Sequence, residues 1–275
     1  MSNLILPVEI NRFLNTEISN VDELQIVKTI RQNITRDVIL QSFLNAVDQG
    51  YYIMPIRPFE LLNIPIYQSS KLEVNINLFP KESNCQKATG LIHHHGPFRL
   101  YSSHLSGLGF DYFAFEENEF LGDRIKEGVH KDSNLYSVEP FDFHVLFGAR
   151  SATATLAVWI KDTFLKSTNE RQSLFLCDGK VQAISELEFS DRLSKEFGKQ
   201  IEANKLLYVA RLLSETGLVS PSELSSIHGF DRFKLNERDS LKLSAVNHLD
   251  RLSMGMTKSE IRKAFSRSYC LKEYK

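Results

Sequence analysis

The chain has 275 residues, with Lys+Arg 33 against Asp+Glu 34 and a formal net charge of -1, so its charge does not imply a polyanionic partner. A composition of 42% hydrophobic and 24% charged residues describes an ordinary soluble globular protein, and the length suits one sizeable domain with additions or two small domains. Cys85, Cys177 and Cys270 lie far apart without CxxC spacing, which excludes a disulfide framework and a zinc knuckle as expectations.

Taken from the amino terminus, MSNLILPVEINRFLNTEISN has no basic region leading into a long apolar core, and no later stretch reaches the roughly 18 apolar residues of a membrane span. A cytoplasmic protein without membrane contact is expected. Asn20 with Glu23 forms a capping-box pattern ahead of Leu24, Val27 and Ile30, and a second helix from about Thr35 carries Val38, Phe43, Ala46 and Val47 before Gly50 stops it. Residues 1–50 therefore read as a helical segment.

From Tyr51 the period changes. KLEVNINLF alternates, with Leu72, Val74, Ile76 and Leu78 on one face, as in a strand half buried against a core. Short β-type runs follow in TGLIHHH, FRLYSSHLS, FDYFAFE, FDFHVLF, TATLAVWI, SLFLCD and KVQAISEL, divided by turn signals such as Gly96-Pro97 and Asp178-Gly179. Many short strands without intervening helices argue for a sandwich or barrel over residues 51–190. The helical period returns over 191–275: NKLLYVARLLSETG ends at Gly217, Ser220-Pro221 with Glu223 opens another helix, and Thr257 with Glu260 opens a last one.

LIHHHG is the stretch most suggestive of chemistry. On a strand, His93 and His95 share one face and His94 takes the other. Two imidazoles on one face can chelate one ion, and imidazole suits iron, zinc, copper or nickel. A further ligand can come from a distant strand, and in EPFDFHVLF, His144 shares its face with Asp142 and Leu146.

This segment resembles the first metal motif of the cupin superfamily, HxH, three or four residues, Glu, six residues, Gly. His93-His94-His95, then Leu100 at the Glu position and Gly107 at the Gly position, fit the spacing without the carboxylate. The loss of that Glu is similar to the cysteine-dioxygenase-like branch, whose iron is held by three histidines. The resemblance implies a mainly β fold, a double-stranded β-helix barrel (jelly-roll) with flanking N- and C-terminal α-helical segments. It also implies Fe(II) on His93, His95 and His144, with open positions for a chelating substrate and O2. Trp159 and Lys161 stand where thiol dioxygenases carry a Ser-His-Tyr relay, so a thiol amino acid is not the expected substrate.

Alternation along FRLYSSHLS puts Leu100, Ser102, His104 and Ser106 inward, and Arg99, Tyr101 and Ser103 outward. His104 is a candidate base behind the ligands, a substrate contact or a replacement ligand, with a core histidine bonded to a carbonyl as its alternative. Phe110, Tyr112, Phe113 and Phe115 read as core aromatics, with Tyr112 the one candidate to reach the cavity as a catalytic group. Arg57 and Arg99 are candidates for an anionic substrate, since a guanidinium fork holds a carboxylate. His130, in KEGVHKDSN, reads as a solvated loop residue.

The expected function is a mononuclear non-haem Fe(II) oxygenase acting with O2 on a small polar metabolite. No 2-oxoglutarate is expected, because HHH lacks the carboxylate of a His-x-Asp/Glu motif. One alternative is a ligand-sensing cupin regulator whose C-terminal helices bind DNA or protein, with SPSELSSIHGFDRFKL as a helix-turn-helix candidate. The basic excess at the end is small and no recognition helix follows, so nucleic acid is not the expected partner. Another is a metal-free isomerase or epimerase with His93 or His95 as general base. A homodimer through the helical ends is compatible with either.

Overall fold

The computed structural model describes residues 22–48, 63–82, 84–88, 92–115, 126–131, 135–162, 172–177, 180–185, 212–225 and 257–261. Helix α1 (Glu23–Asn33) opens at Asp22, whose Oδ1 accepts from the backbone N–H groups of Leu24 at 3.0 Å and Gln25 at 3.3 Å. Asn20, the expected cap, lies outside the described residues. Asp22 caps because its carboxylate stands directly before the first turn, where an acceptor and a negative charge both suit the unpaired N–H groups. Helix α2 (Arg36–Asp48) follows, with Thr35 Oγ1 accepting from Val38 N–H at 3.3 Å.

Two antiparallel sheets make up the body. Strands β1 (Asn63–Gln68), β2 (Leu72–Phe79), β4 (Phe98–Ser106), β7 (Leu135–Val138) and β9 (Thr153–Lys161) form one, in the order β1-β2-β9-β4-β7. Strands β3 (Ile92–His93), β5 (Phe110–Phe115), β6 (Lys126–His130), β8 (Phe143–Leu146), β10 (Gln172–Cys177) and β11 (Lys180–Ser185) form the other, in the order β11-β10-β3-β8-β5-β6. Between β2 and β9 the chain crosses repeatedly from one sheet to the other, so that β2-β9-β4-β7 faces β3-β8-β5-β6. That order is the eight-stranded jelly-roll of a double-stranded β-helix, the expected fold. Within the expected run TGLIHHH, the described residues Ile92 and His93 are strand, while β1, β6 and β7 are strands that the sequence pattern did not separate from loops.

The alternation read from KLEVNINLF is present, but its apolar face points away from the barrel interior. Leu72, Val74, Ile76 and Leu78 pack with Leu156 and Val158 of β9 against Ile26, Ile30 and Phe43 of the helices and against Leu212, Leu213 and Val219. The interior face carries the polar set, and Asn75, Ser102, His104, Thr153 and Thr155 are all buried. Tyr101 belongs to the helix-facing cluster while Leu100 and Ser102 line the interior, which is the inward and outward division expected for β4.

The later helical signals appear where expected. Gly217, at φ 75, follows the helical residues 212–215. Ser220 and Glu223 cap α3 (Pro221–Ser225) reciprocally, with Ser220 N–H donating to Glu223 Oε2 at 2.8 Å and Glu223 N–H donating to Ser220 Oγ at 3.3 Å. Thr257 and Glu260 repeat the arrangement at 2.7 and 3.3 Å. That last turn rests on the outside of the second sheet, where Lys258 Nζ lies 5.6 Å from the Phe113 ring and 5.4 Å from the Phe147 ring, and 3.0 Å from Asp111 Oδ2. Among the described residues no helix is long and apolar enough to cross a membrane.

If the helix-facing cluster supplies most of the stability, Leu156→Ala lowers it by roughly 2–5 kcal/mol. Leu108→Ala, at a position 61% exposed, changes it by no more than about 0.5 kcal/mol. Urea denaturation of the two variants measures both; equal effects would show that the cluster is not the main apolar core.

Candidate metal centre

His93 stands directly opposite His144 in the antiparallel pairing of β3 with β8, and His95 follows two positions later on the same side. The ring centroids lie 4.1 Å apart for His93 and His144, 5.0 Å for His93 and His95, and 4.9 Å for His95 and His144. One nitrogen from each ring lies within 4.8 Å of the other two, and all three residues are buried. The structure thus brings together the three expected ligands.

A short loop holds this arrangement. After His93 the chain leaves the strand, and Gly96 turns it at φ 63, a conformation glycine adopts without steric cost. Gly96 N–H donates to His94 Nδ1 at 2.9 Å, and Gly96 O accepts from Phe141 N–H at 3.0 Å. Pro97 O accepts from Asp162 N–H at 2.8 Å. Phe141 itself sits at φ 63, a strained conformation for a bulky residue costing on the order of 1–3 kcal/mol. The turn into β8 and the turn out of β3 are therefore clamped together.

His94 points away from the cluster, as the alternation requires, but it is buried, not solvated. Phe141 and Phe143 cover its ring at centroid distances of 5.6 and 4.8 Å, and burial lowers its pKa to about 4. Burial, then the neighbouring His93 and His94, hold the His144 imidazole well below its ordinary pKa. A neutral imidazole is the form that binds a metal.

The three histidines form one wall of a cavity of about 30 Å³, completed among the described residues by apolar Phe79, Leu100, Phe110 and Leu146 and by polar Asn77, Ser102, Tyr136, Thr155 and Trp159. That volume has room for about two water-sized groups. Four of the polar residues carry a buried atom with no hydrogen-bond partner among the described residues: Asn77 Oδ1, Tyr136 Oη, Thr155 Oγ1 and Trp159 Nε1. His144 Nδ1 is in the same condition. An unsatisfied buried polar atom costs about 1–3 kcal/mol, so their concentration around one small cavity marks a place for a bound group. Burial, mutual distance and the neutral state of His144 fit a metal ion, and the cluster contains no carboxylate.

Other expected site residues lie apart from this cavity or at its edge. His104 is a buried core histidine whose Nε2 is 3.0 Å from Gly107 O, and it is not among the lining residues. Tyr112 packs at a tilt against Tyr136, with ring centroids 4.0 Å apart, and is not among the lining residues. Arg99 turns toward α1, with Nη1 2.6 Å from Glu23 Oε2 and Nε 2.8 Å from Glu139 Oε2, so its fork already holds two carboxylates away from the cavity. Arg57 lies outside the described residues.

His130 corrects the expectation of a solvated loop. It is 1% exposed, on β6, opposite Phe110, and its Nε2 lies 2.9 Å from Ser102 Oγ. The charges of KEGVHKDSN masked a five-residue strand whose alternation sends Val129 out and His130 in. Burial, and then the nearby His104, lower the His130 pKa to about 4.

No protein-family model and no curated protein matches the sequence. Solved structures similar to the chain include a cupin protein from Bacteroides fragilis, at 15% identity over 39% of this chain and 83% of that one, with a TM-score of 0.27. A double-stranded β-helix protein from Klebsiella pneumoniae matches at 11% identity over 37% of this chain and 77% of that one, with a TM-score of 0.27. The Cnp3 cupin domain from Schizosaccharomyces pombe matches at 9% identity over 37% and 61%, with a TM-score of 0.28. The jelly-roll assignment stands on the strand order itself.

His130 makes stability pH-dependent in a defined direction. Its folded pKa is lowered from 6.5 to about 4, so the unfolded chain binds the extra proton. The stability tied to the neutral ring is complete above about pH 6.5 and is lost as pH falls toward about 4, by on the order of 3 kcal/mol. Urea midpoints of the metal-free protein at about pH 7.5 and about pH 4.5 are expected to differ less in His130→Gln than in the wild type; an equal difference would refute the assignment.

Proposed function

We propose that the chain is a mononuclear non-haem iron oxygenase, with Fe(II) held by His93, His95 and His144 and with O2 and a small polar metabolite as substrates. The observation that carries this reading is the convergence of three buried imidazoles, without a carboxylate, on a cavity ringed by unpartnered polar atoms. Ferrous iron bound there would supply dioxygen activation and chelation of the substrate. The absence of a carboxylate from the cluster supports a reaction that does not use 2-oxoglutarate.

The chain's own residues have separable roles in this reading. Phe79, Leu100, Phe110 and Leu146 exclude bulk water and lower the local dielectric, which strengthens each polar contact inside. Burial keeps His144 neutral and able to donate its lone pair. Asn77, Tyr136, Thr155 and Trp159 orient what enters the cavity. His94 acts indirectly, by tying the ligand loop to Gly96 under Phe141 and Phe143.

Anaerobic purification with ferrous iron, followed by elemental analysis, is expected to give about one iron per chain. His93→Ala and His144→Ala lose it, whereas His94→Ala retains it with lowered stability. The iron-loaded protein is then screened for oxygen uptake against small polar metabolites. Metal binding without uptake on any of them would reject the oxygenase reading, and failure of the wild type to bind metal would reject the centre.

A further inference from the structure

Ser102, with His130 behind it, marks the part of the cavity wall that the three-histidine cluster leaves unexplained. Ser102 is 5% exposed and lines the cavity; His130 stands behind it, 2.9 Å away through Nε2. The other ring nitrogen, Nδ1, is buried without a hydrogen-bond partner among the described residues. A neutral imidazole carries one N–H, and a buried N–H without an acceptor is costlier than a buried lone pair without a donor. The proton therefore belongs on Nε2, which donates to Ser102 Oγ. With its oxygen engaged as acceptor, the Ser102 hydroxyl hydrogen turns toward the cavity.

This choice of tautomer gives the whole wall one polarity. Trp159 Nε1–H can only donate, and the Tyr136 and Thr155 hydroxyls are buried, unpartnered and able to donate. Asn77 Oδ1 is the unpartnered acceptor on the wall, and rotation about its last side-chain bond exchanges that oxygen for the amide NH2. No lysine or arginine lines the cavity among the described residues. On the opposite side stand three imidazoles, which bind a metal as neutral ligands and would leave the charge of a bound divalent ion uncompensated.

We infer that the cavity is built to hold a small oxyanion, such as a carboxylate group of formate size, between the metal and hydrogen-bond donors supplied by Ser102, Tyr136 and Trp159. This rests on the iron reading. The substrate class that follows is an acid whose carboxylate end, and little else, enters the cavity, since about 30 Å³ accommodates only about two water-sized groups. His130 is a positioning residue here, acting through Ser102.

The test uses Co(II) as a visible-absorbing occupant of the three-histidine site and formate as the probe. Formate added to the cobalt-loaded protein is expected to shift the cobalt absorption saturably. Ser102→Ala, Tyr136→Phe and Trp159→Phe each weaken formate by about tenfold while retaining about one cobalt per chain. His130→Gln, whose amide N–H can donate to Ser102, keeps formate affinity, and His130→Leu loses it. Nitrogen-15 spectra of histidine-labelled, metal-free protein are expected to show His130 protonated on Nε2 and bare on Nδ1. A proton on Nδ1 overturns the proposal, as does formate affinity that is absent or indifferent to the Ser102 and Trp159 changes in cobalt-bearing protein. Should cobalt fail to bind at all, the iron reading fails, and the histidine spectrum still decides the donor assignment.

Discussion

Bringing three imidazole rings within contact of one another inside a protein strips each of its water and sets a cost on charging any of them. The structure meets this constraint through one antiparallel pair, His93 opposite His144. Residues directly opposite in such a ladder have Cβ atoms about 4.5–5.5 Å apart, which places two rings side by side without any special loop. The third ring then needs only the strand's period of two. The pairing is held by the strands on either side of β3, β10 and β8, and by the hydrogen bond from Phe141 N–H to Gly96 O.

Such a site is possible because much of the apolar core lies outside the barrel interior, which holds a smaller cluster around Leu100 and Trp159. The large apolar cluster lies between the first sheet and the helices, with Ile76 and Leu156 among residues fully shielded from solvent. The interior can then carry Asn77, Thr155 and the histidines, whose unsatisfied atoms would be untenable as the sole core of a small domain. Arg31, on α1, reinforces the division by donating from Nη1 to His104 O at 3.0 Å, at the point where β4 bulges between His104 and Ser106.

Much of this was legible in the sequence where a local period or a local cap decided the outcome. The faces of β2 and β4, the sharing of one face by His93 and His95, and the capping boxes at Ser220 and Thr257 all follow from rules that act within a few residues. Facts requiring knowledge of what lies across the sheet were not legible. Alternation shows that Leu72 and Asn75 face opposite ways, but it cannot say which face is the lumen. The tertiary partners of Arg99, Glu23 on α1 and Glu139 beyond β7, are likewise invisible to spacing. His130 was hidden because its strand is short and charged, and only pairing with β5 turns the ring inward.

The separation of apolar mass from lumen has a consequence for how such a protein can diverge. Where the residues that touch a ligand are also the residues that hold a fold together, each new specificity risks unfolding, and variation in the site is held back by stability. Here the polar wall residues Asn77, Ser102 and Thr155 can be rewritten while the contacts of Ile26, Ile30 and Leu156 on the other side of the sheet remain as they are. Inward substitutions can therefore change what the lumen presents to a bound group while the helix-facing packing that carries much of the fold is left intact.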